Sequence, residues 1–440
     1  MKMNKLSRKL IKPHTPTPQT LKNFKLSYPD ELSPPVYFAV VLFYESKPED
    51  GSLRLEESLA RILVEFYPLA GRFIKNDSLI DCSDEGAELV EAEAPDVELI
   101  DLITKIENDQ LDYLLPEQHF RPSEAPQNPL LSIQITRFSC GGAAIAISVY
   151  HRVFDASSLG TLVAAWSDAA NPDHAKRVIK PSFPLPSLLP SVTGVDNLAI
   201  DVGPTPDSRE QSVGADHKVV LKRVLFNEEA ITRLKSRISQ TNGKPLSGVR
   251  VVCAVIAKAL IRLDGAIHGR SRSFAVVQAV NMRERTIPPQ PRHACGNFAV
   301  PAFTPRVEAG DDVGVDELVR LLGDSVRHAI SEHAEILSPD RDGRNIITNT
   351  TKSFQKLFCE PETNGIIISD WSRFGFHEAD FGWGKPVLTS IRFGPPVSNN
   401  FVVLMSDKEG DGIEAWFHLY QHAVPYFEQD EEIKVYFTNN

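Results

Sequence analysis

No apolar run in the sequence approaches the roughly 18 residues that a membrane span needs, and the basic N-terminus "MKMNKLSRKLIKPHTPTPQ" lacks the apolar segment of a signal peptide. Cysteine is scarce. The five cysteines, Cys82, Cys140, Cys253, Cys295 and Cys359, stand singly, with no CxxC pair and an odd total. That usage suits a reducing compartment rather than a disulfide framework. Positive charge is also in deficit, with 47 Lys and Arg against 58 Asp and Glu, a net −11. An extended polyanion is therefore an unfavourable partner, and no nucleic acid is expected. Several motifs are missing as well: GxGxxG after a strand, GxxxxGK[ST], HExxH and GxSxG. Nucleotide-binding, zinc-protease and serine-hydrolase chemistry thus lack their geometry. A cytoplasmic protein with no membrane partner is expected, acting as a monomer.

What is present is a globular composition, 42% hydrophobic and 24% charged, on a chain of 440 residues. That length exceeds one ordinary core and implies more than one domain. Seven prolines fall between Pro172 and Pro206, a run that sustains neither helix nor strand. The division expected is residues 1–175, a proline-rich crossover at 176–217, and residues 218–440.

In the first part "VYFAVVLFY" reads as a strand. "RLEESLARILVEFYPLAGRF" reads as a helix with Leu55, Leu59, Ile62, Leu63 and Phe66 on one apolar face. In the last part "SGVRVVCAVIAKALIRL" is a helix capped by Ser247, and a second helix runs from about Asp316 to Ile336. Strands are read at "FAVVQAVNMR", "GIIISDW", "VLTSIRF", "NNFVVLMSD" and "GIEAWFHLY". Helices and strands do not alternate strictly, so the fold class expected is α+β.

Three stretches carry chemistry. In "AIAISVYHRVFDASSLGTLVAAW" the alternation of Ile145, Ile147 and Val149 gives way to helical spacing at Leu159, Leu162, Val163 and Trp166. His151 falls where the strand ends, and Asp155 stands beside the first turn of the helix. A lone histidine in a loop is more often a satisfied polar residue than a base, so the position needs independent support. Two ligands four residues apart suit a metal geometrically, but Arg152 sits beside them and no third ligand is at hand, so no metal site is expected. The second stretch, "DFGWG" from Asp380 to Gly384, packs an acid, two aromatics and two glycines into a tight turn. In the third, Arg283 follows a strand, and a proline-rich loop after it closes on Gly296 and Asn297.

Together these stretches resemble the BAHD family of plant acyl-CoA-dependent acyltransferases. Its HxxxD is matched by His151 to Asp155 and its DFGWG by Asp380 to Gly384. "YPLAGR", "NMR" with the later "GN", and "SDW" extend the likeness over nearly the whole chain. "KPHTPTPQTLKNFKLS" and "YPLAGRF" look most like the branch of alkaloid and terpenoid O-acetyltransferases.

The resemblance implies two similar domains of chloramphenicol-acetyltransferase type, HxxxD in the first and DFGWG in the second, with a channel between them. It implies acyl-CoA as co-substrate, with acetyl-CoA the expected donor, a small-molecule alcohol as acceptor, and no permanently bound cofactor. The catalytic set implied is His151, Asp155 and Asp380. His151 acts as general base, while the two carboxylates usually support it structurally, Asp155 by pairing with Arg283. Ser369 and Trp371 would line the reaction centre, and Arg283, Gly382, Trp383 and Gly384 would support it. Tyr150 departs from the small or polar residue that usually precedes the histidine, which bears on pocket shape. Two other readings stay open: a condensation-type domain acting on carrier-protein thioesters, and a non-catalytic relative that binds a metabolite.

Overall fold

The computed structural model describes residues 1–47, 51–104, 108–120, 125, 127–174, 178–191, 218–238, 246–360, 362–394 and 400–436. Much of the expected crossover, 176–177 and 192–217, lies outside the described residues. The chain divides into two compact units, one of residues 1–200, 290–298 and 374–395, the other of 201–289, 299–373 and 396–440.

The first unit is built on a six-stranded mixed sheet. Its order is Asn4–Ile11, Ala87–Ala94, Leu131–Phe138, Ala143–Tyr150, Tyr37–Tyr44 and Leu388–Phe393. Only Ala87–Ala94 and Leu131–Phe138 pair in parallel. Tyr37–Tyr44 and Ala143–Tyr150 are buried along their whole length, as their continuous apolar sequences require of central strands. Helices Gly51–Ile62 and Ala156–Ala170 are tied together by Trp166, whose Nε1 donates to the Leu55 carbonyl at 3.2 Å and to Ser58 Oγ at 3.1 Å.

The first helix is shorter than its periodicity predicts, since it spans Gly51–Ile62. The chain leaves it through a turn, the Val64 and Glu65 N–H groups bonding three residues back to the Arg61 and Ile62 carbonyls at 3.3 and 3.0 Å, and Pro68, which has no N–H, bars its resumption. Leu55, Leu59, Ile62, Leu63 and Phe66 are nonetheless all buried. Beyond the helix Tyr67–Ala70 forms a 3-10 turn and Arg72–Ile74 a short strand. Gly71 fits there because a Cβ would come within 2.6 Å of the Asp81 carbonyl oxygen.

The second unit holds another six-stranded mixed sheet, ordered Ala299–Phe303, Ser273–Asn281, Thr363–Asp370, Phe401–Ser406, Ile413–Tyr420 and Val219–Phe226. One face of this sheet, with Val276, Ile366, Ile368, Val402, Leu404, Ala415 and Phe417, packs with Val252, Val255, Ile256 and Leu260 of helix Gly248–His268. Ser247 caps that helix as expected, accepting the Arg250 N–H at 3.4 Å. The helix read from about Asp316 occupies Val315–His333. Several elements have no counterpart in the sequence reading, among them the strands Asn4–Ile11, Ala87–Ala94, Leu131–Phe138 and Val219–Phe226 and the helices Glu228–Arg237 and Gly343–Cys359, the last capped by Asp342.

The segment that carries Asp380 corrects the linear division of the chain. It lies in the last part of the sequence, yet it belongs to the first unit, because Leu388–Phe393 pairs antiparallel with Tyr37–Tyr44. The end of the proline-rich loop, Gln290–Phe298, does likewise.

Candidate active site

His151 is held from both sides of its Cα. Its N–H donates to the Val36 carbonyl at 2.9 Å, and its own carbonyl accepts the Asn297 side-chain N–H at 2.8 Å. The chain then turns, with Val153 N–H bonded to the Tyr150 carbonyl at 3.0 Å, and reaches Asp155 as the N-cap of helix Ala156–Ala170. The imidazole leans on the Phe38 ring, centroids 4.7 Å apart and 51° between planes. Phe38 in turn stacks on Phe393 at 5.9 Å. Nδ1 is buried, whereas the residue as a whole is partly exposed. Burial pushes the imidazole below its ordinary value of 6.5; its own carbonyl, the Asp155 carboxylate and the Asn297 side chain pull the other way. The ring is neutral at pH 7, the form in which it accepts a proton.

Asp155 is a buried carboxylate. Oδ1 accepts the Ser158 N–H at 2.8 Å and lies 2.8 Å from Ser158 Oγ. Oδ2 accepts the Phe298 N–H at 3.1 Å. Ser158 Oγ also accepts the Gly296 N–H at 3.1 Å and stands 3.0 Å from the Gly296 carbonyl. The carboxylate thus starts the helix and moors residues 296–298 beside it. Tyr150 is buried against the Tyr37 and Phe73 rings, with centroids 5.4 and 5.7 Å away.

Asp380 uses one oxygen to close its own turn. Oδ1 accepts the N–H groups of Gly382 at 2.7 Å, Trp383 at 3.1 Å and Gly384 at 3.0 Å. Gly382 and Gly384 both have left-handed φ, 96° and 102°, a conformation that a Cβ opposes. The turn is pinned by Phe381, buried against Trp166 at 4.9 Å, by Asn171 Nδ2 donating to the Asp380 carbonyl at 3.2 Å, and by Arg54 over the Trp383 ring at 5.5 Å.

Ser369, Trp371 and Arg283 belong to the second unit. Trp371 Nε1 donates to Ser369 Oγ at 2.9 Å, and the Trp371 N–H continues the sheet to the Leu404 carbonyl at 2.8 Å. Arg283 is buried in a 3-10 turn and donates to Asn281 Oδ1 through Nη1 at 3.1 Å. The structure therefore brings His151 and Asp155 together through Asn297, Phe298 and Ser158. Asp30, described below, joins that group, and its spacing from Ser27 marks a helix start but not its link to His151. Asn297 had a signal in the sequence, since it closes the loop after Arg283.

A profile of the transferase family matches residues 1–434. The pelargonidin 3-O-(6-caffeoylglucoside) 5-O-(6-O-malonylglucoside) 4'''-malonyltransferase of Salvia splendens is 49% identical over 439 residues, 100% of each chain. Vinorine synthase of Rauvolfia serpentina is 33% identical over 424 residues, 94% of this chain and 93% of its own. A crystal structure of vinorine synthase matches with a TM-score of 0.82 at 31% identity, covering 99% of this chain and 98% of that one. The chain belongs to this transferase family, the BAHD acyl-CoA-dependent acyltransferases. It is an enzyme that uses an acyl-CoA and a small-molecule acceptor.

Proposed function

We propose that the enzyme moves a malonyl group from malonyl-CoA to a hydroxyl of an acylated anthocyanin glucoside, with His151 as general base. Full-length identity of 49% to a malonyltransferase of such a pigment supports the substrates. The neutral, partly exposed imidazole at a strand end, held at both neighbouring peptides, supports the base.

An alcohol ionises near the pKa of water, roughly 16, and an imidazole near 6.5, a gap of about 13 kcal/mol. Prior deprotonation of the acceptor is too costly, so the proton moves to His151 while the hydroxyl oxygen attacks the thioester carbonyl. The C–S bond then breaks, and the imidazolium returns the proton to the departing CoA sulfur. The bound alcohol is itself the nucleophile, and no acyl-enzyme is formed. Asp155 and Asp380 act structurally in this reading, since their oxygens serve backbone N–H groups. Ser369 and Trp371 line the reaction centre, as the family resemblance implies.

A second reading, acetyl transfer to an alkaloid or terpenoid hydroxyl, is favoured by the N-terminal motifs and by identities of 33% to vinorine synthase and 32% to stemmadenine O-acetyltransferase. Competition decides between them. Malonyl-CoA and acetyl-CoA are offered together with anthocyanin glucosides and with alkaloid and terpenoid alcohols, and thiol release and product mass are followed. Malonylated pigment as the dominant product is expected. Acetylated alkaloid or terpenoid would replace the first reading by the second, and binding without thiol release would remove both.

A further inference from the structure

Asp30 is a carboxylate in the first unit, 2% exposed, in a segment where the sequence shows only a short helix start. It lies 121 residues before His151 in the chain. Ser27 and Asp30 cap the helix Tyr28–Leu32 together. Oδ2 accepts the Ser27 N–H at 3.0 Å and the Ser27 hydroxyl. Oδ1 accepts two donors from one distant residue, the Asn297 backbone N–H at 2.9 Å and the Asn297 side-chain N–H at 2.9 Å.

The same carboxamide nitrogen of Asn297 donates to the His151 carbonyl at 2.8 Å. Both partners of that nitrogen are acceptors only, so the amide has one orientation and both its hydrogens are committed. Asn297 is 6% exposed. Burial lifts the Asp30 carboxyl to about 6, while the donors from Ser27 and Asn297 pull it down. It is ionised at pH 7, as an oxygen pair accepting from four donors requires.

A buried charge is weak evidence for stability, because apolar residues of similar volume do as well or better. What this one does is aim an amide. With the His151 N–H on Val36 and the His151 carbonyl on Asn297, the peptide planes on both sides of the His151 Cα are fixed. The direction of Cβ is then fixed, and contact with Phe38 sets the ring. A base displaced by about 1 Å loses on the order of 10²-fold in rate.

We propose that Asp30 and Asn297 are positioning residues for acyl transfer: Asp30 orients the Asn297 carboxamide, which grips the His151 carbonyl and thereby aims the imidazole. The proposal rests on the reading of His151 as base, and the experiment separates the two. His151→Ala, Asn297→Ala, Asn297→Ser, Asp30→Ala and Asp30→Asn are purified, checked for folding by circular dichroism, and assayed for kcat and KM.

Asn297→Ala and Asp30→Ala should lower kcat about 10- to 100-fold with the KM for acyl-CoA unchanged. Asp30→Asn keeps an oxygen for Asn297 and should recover most of the kcat lost in Asp30→Ala. Where Asn297→Ala does not fold, Asn297→Ser is judged by the same criterion. Wild-type kcat in folded Asn297→Ala or Asn297→Ser, with His151→Ala inactive, overturns the clamp and leaves the base. Wild-type turnover by His151→Ala overturns both. Independently of any clamp variant, ring 15N shifts of the wild-type protein, assigned through the signal lost in His151→Gln, should show the neutral ring protonated on the buried Nδ1. A ring protonated on Nε2 would overturn the proposed aim.

Discussion

The turn at Asp380 and the turn at His151 both present a polar side chain after hydrophobic structure, but the Asp380 carboxylate serves its own turn while the His151 imidazole does not. Asp380 closes on Gly382, Trp383 and Gly384, all within four residues. His151 and Asp155 depend on Val36, Asn297 and Phe298, which lie more than a hundred residues away in sequence. A carboxylate that closes its own turn is spent on that turn's shape, even though Trp166, Asn171 and Arg54 also pin the turn from outside. A turn held by distant segments leaves its imidazole unspent, and every support is a place where catalysis can be disturbed without touching the reacting group.

The comparison breaks most sharply at the histidine. His151→Ala should lower kcat by about 10² to 10⁴ while acyl-CoA affinity, read by calorimetry, stays near wild type; retained turnover would make the two turns alike. In the wild-type enzyme the lowered imidazole pKa places the acid limb of kcat/KM below pH 6.5, because the neutral base persists until pH falls through its own pKa. A limb above 6.5 would contradict the burial of the ring.

Asp155→Ala removes a helix N-cap and strands the Phe298 N–H, at a cost of about 2 to 4 kcal/mol. Chemical denaturation should show that loss, together with reduced kcat. Unchanged stability would mean that the distant mooring is idle.

Asp380→Ala leaves three N–H groups of an exposed turn to water and should cost about 1 to 3 kcal/mol. Thermal melting should register it, with turnover lost only in proportion to folded protein. A stable variant without activity would move Asp380 into the chemistry.

The smallest expected effect concerns His119, buried in the first unit with Nδ1 2.9 Å from Ser148 Oγ. Burial first, and then Arg392, push its pKa to about 3. The unfolded chain therefore takes up a proton near pH 6.5 that the folded chain refuses. Stability falls as pH drops below 6.5, by about 2 kcal/mol at pH 5. His119→Gln should flatten that slope in denaturation series from pH 7 to 5, and an unaltered slope would assign the acid sensitivity to other groups such as His151.

How much of this was legible in sequence follows the same division. The strand before His151, the helix after it and the glycine turn at Asp380 were readable because each writes its signal within a few residues. The helix Gly51–Ile62 was read too long because Leu63 and Phe66 keep the apolar spacing while the backbone bonds of Val64 and Glu65 already reach only three residues back. Asn4–Ile11 was missed because an edge strand with a mostly exposed, charged surface has no alternation to show. Gly343–Cys359 was missed for its run of Asn and Thr, residues that compete for backbone hydrogen bonds and weaken a helical signal.

By itself the sequence determined the α+β class, the family, the two motifs and the local shape around each. Tertiary structure alone decided that Leu388–Phe393 joins the first sheet, that Asp155 meets Phe298, and that Asn297, itself bonded to Asp30, holds the His151 carbonyl. The physical reason is one of range. Periodic burial, capping and tight turns are settled by neighbours along the chain. The partner of a buried polar group is settled by loop closure, whose cost grows only logarithmically with separation, so no spacing in the sequence marks it.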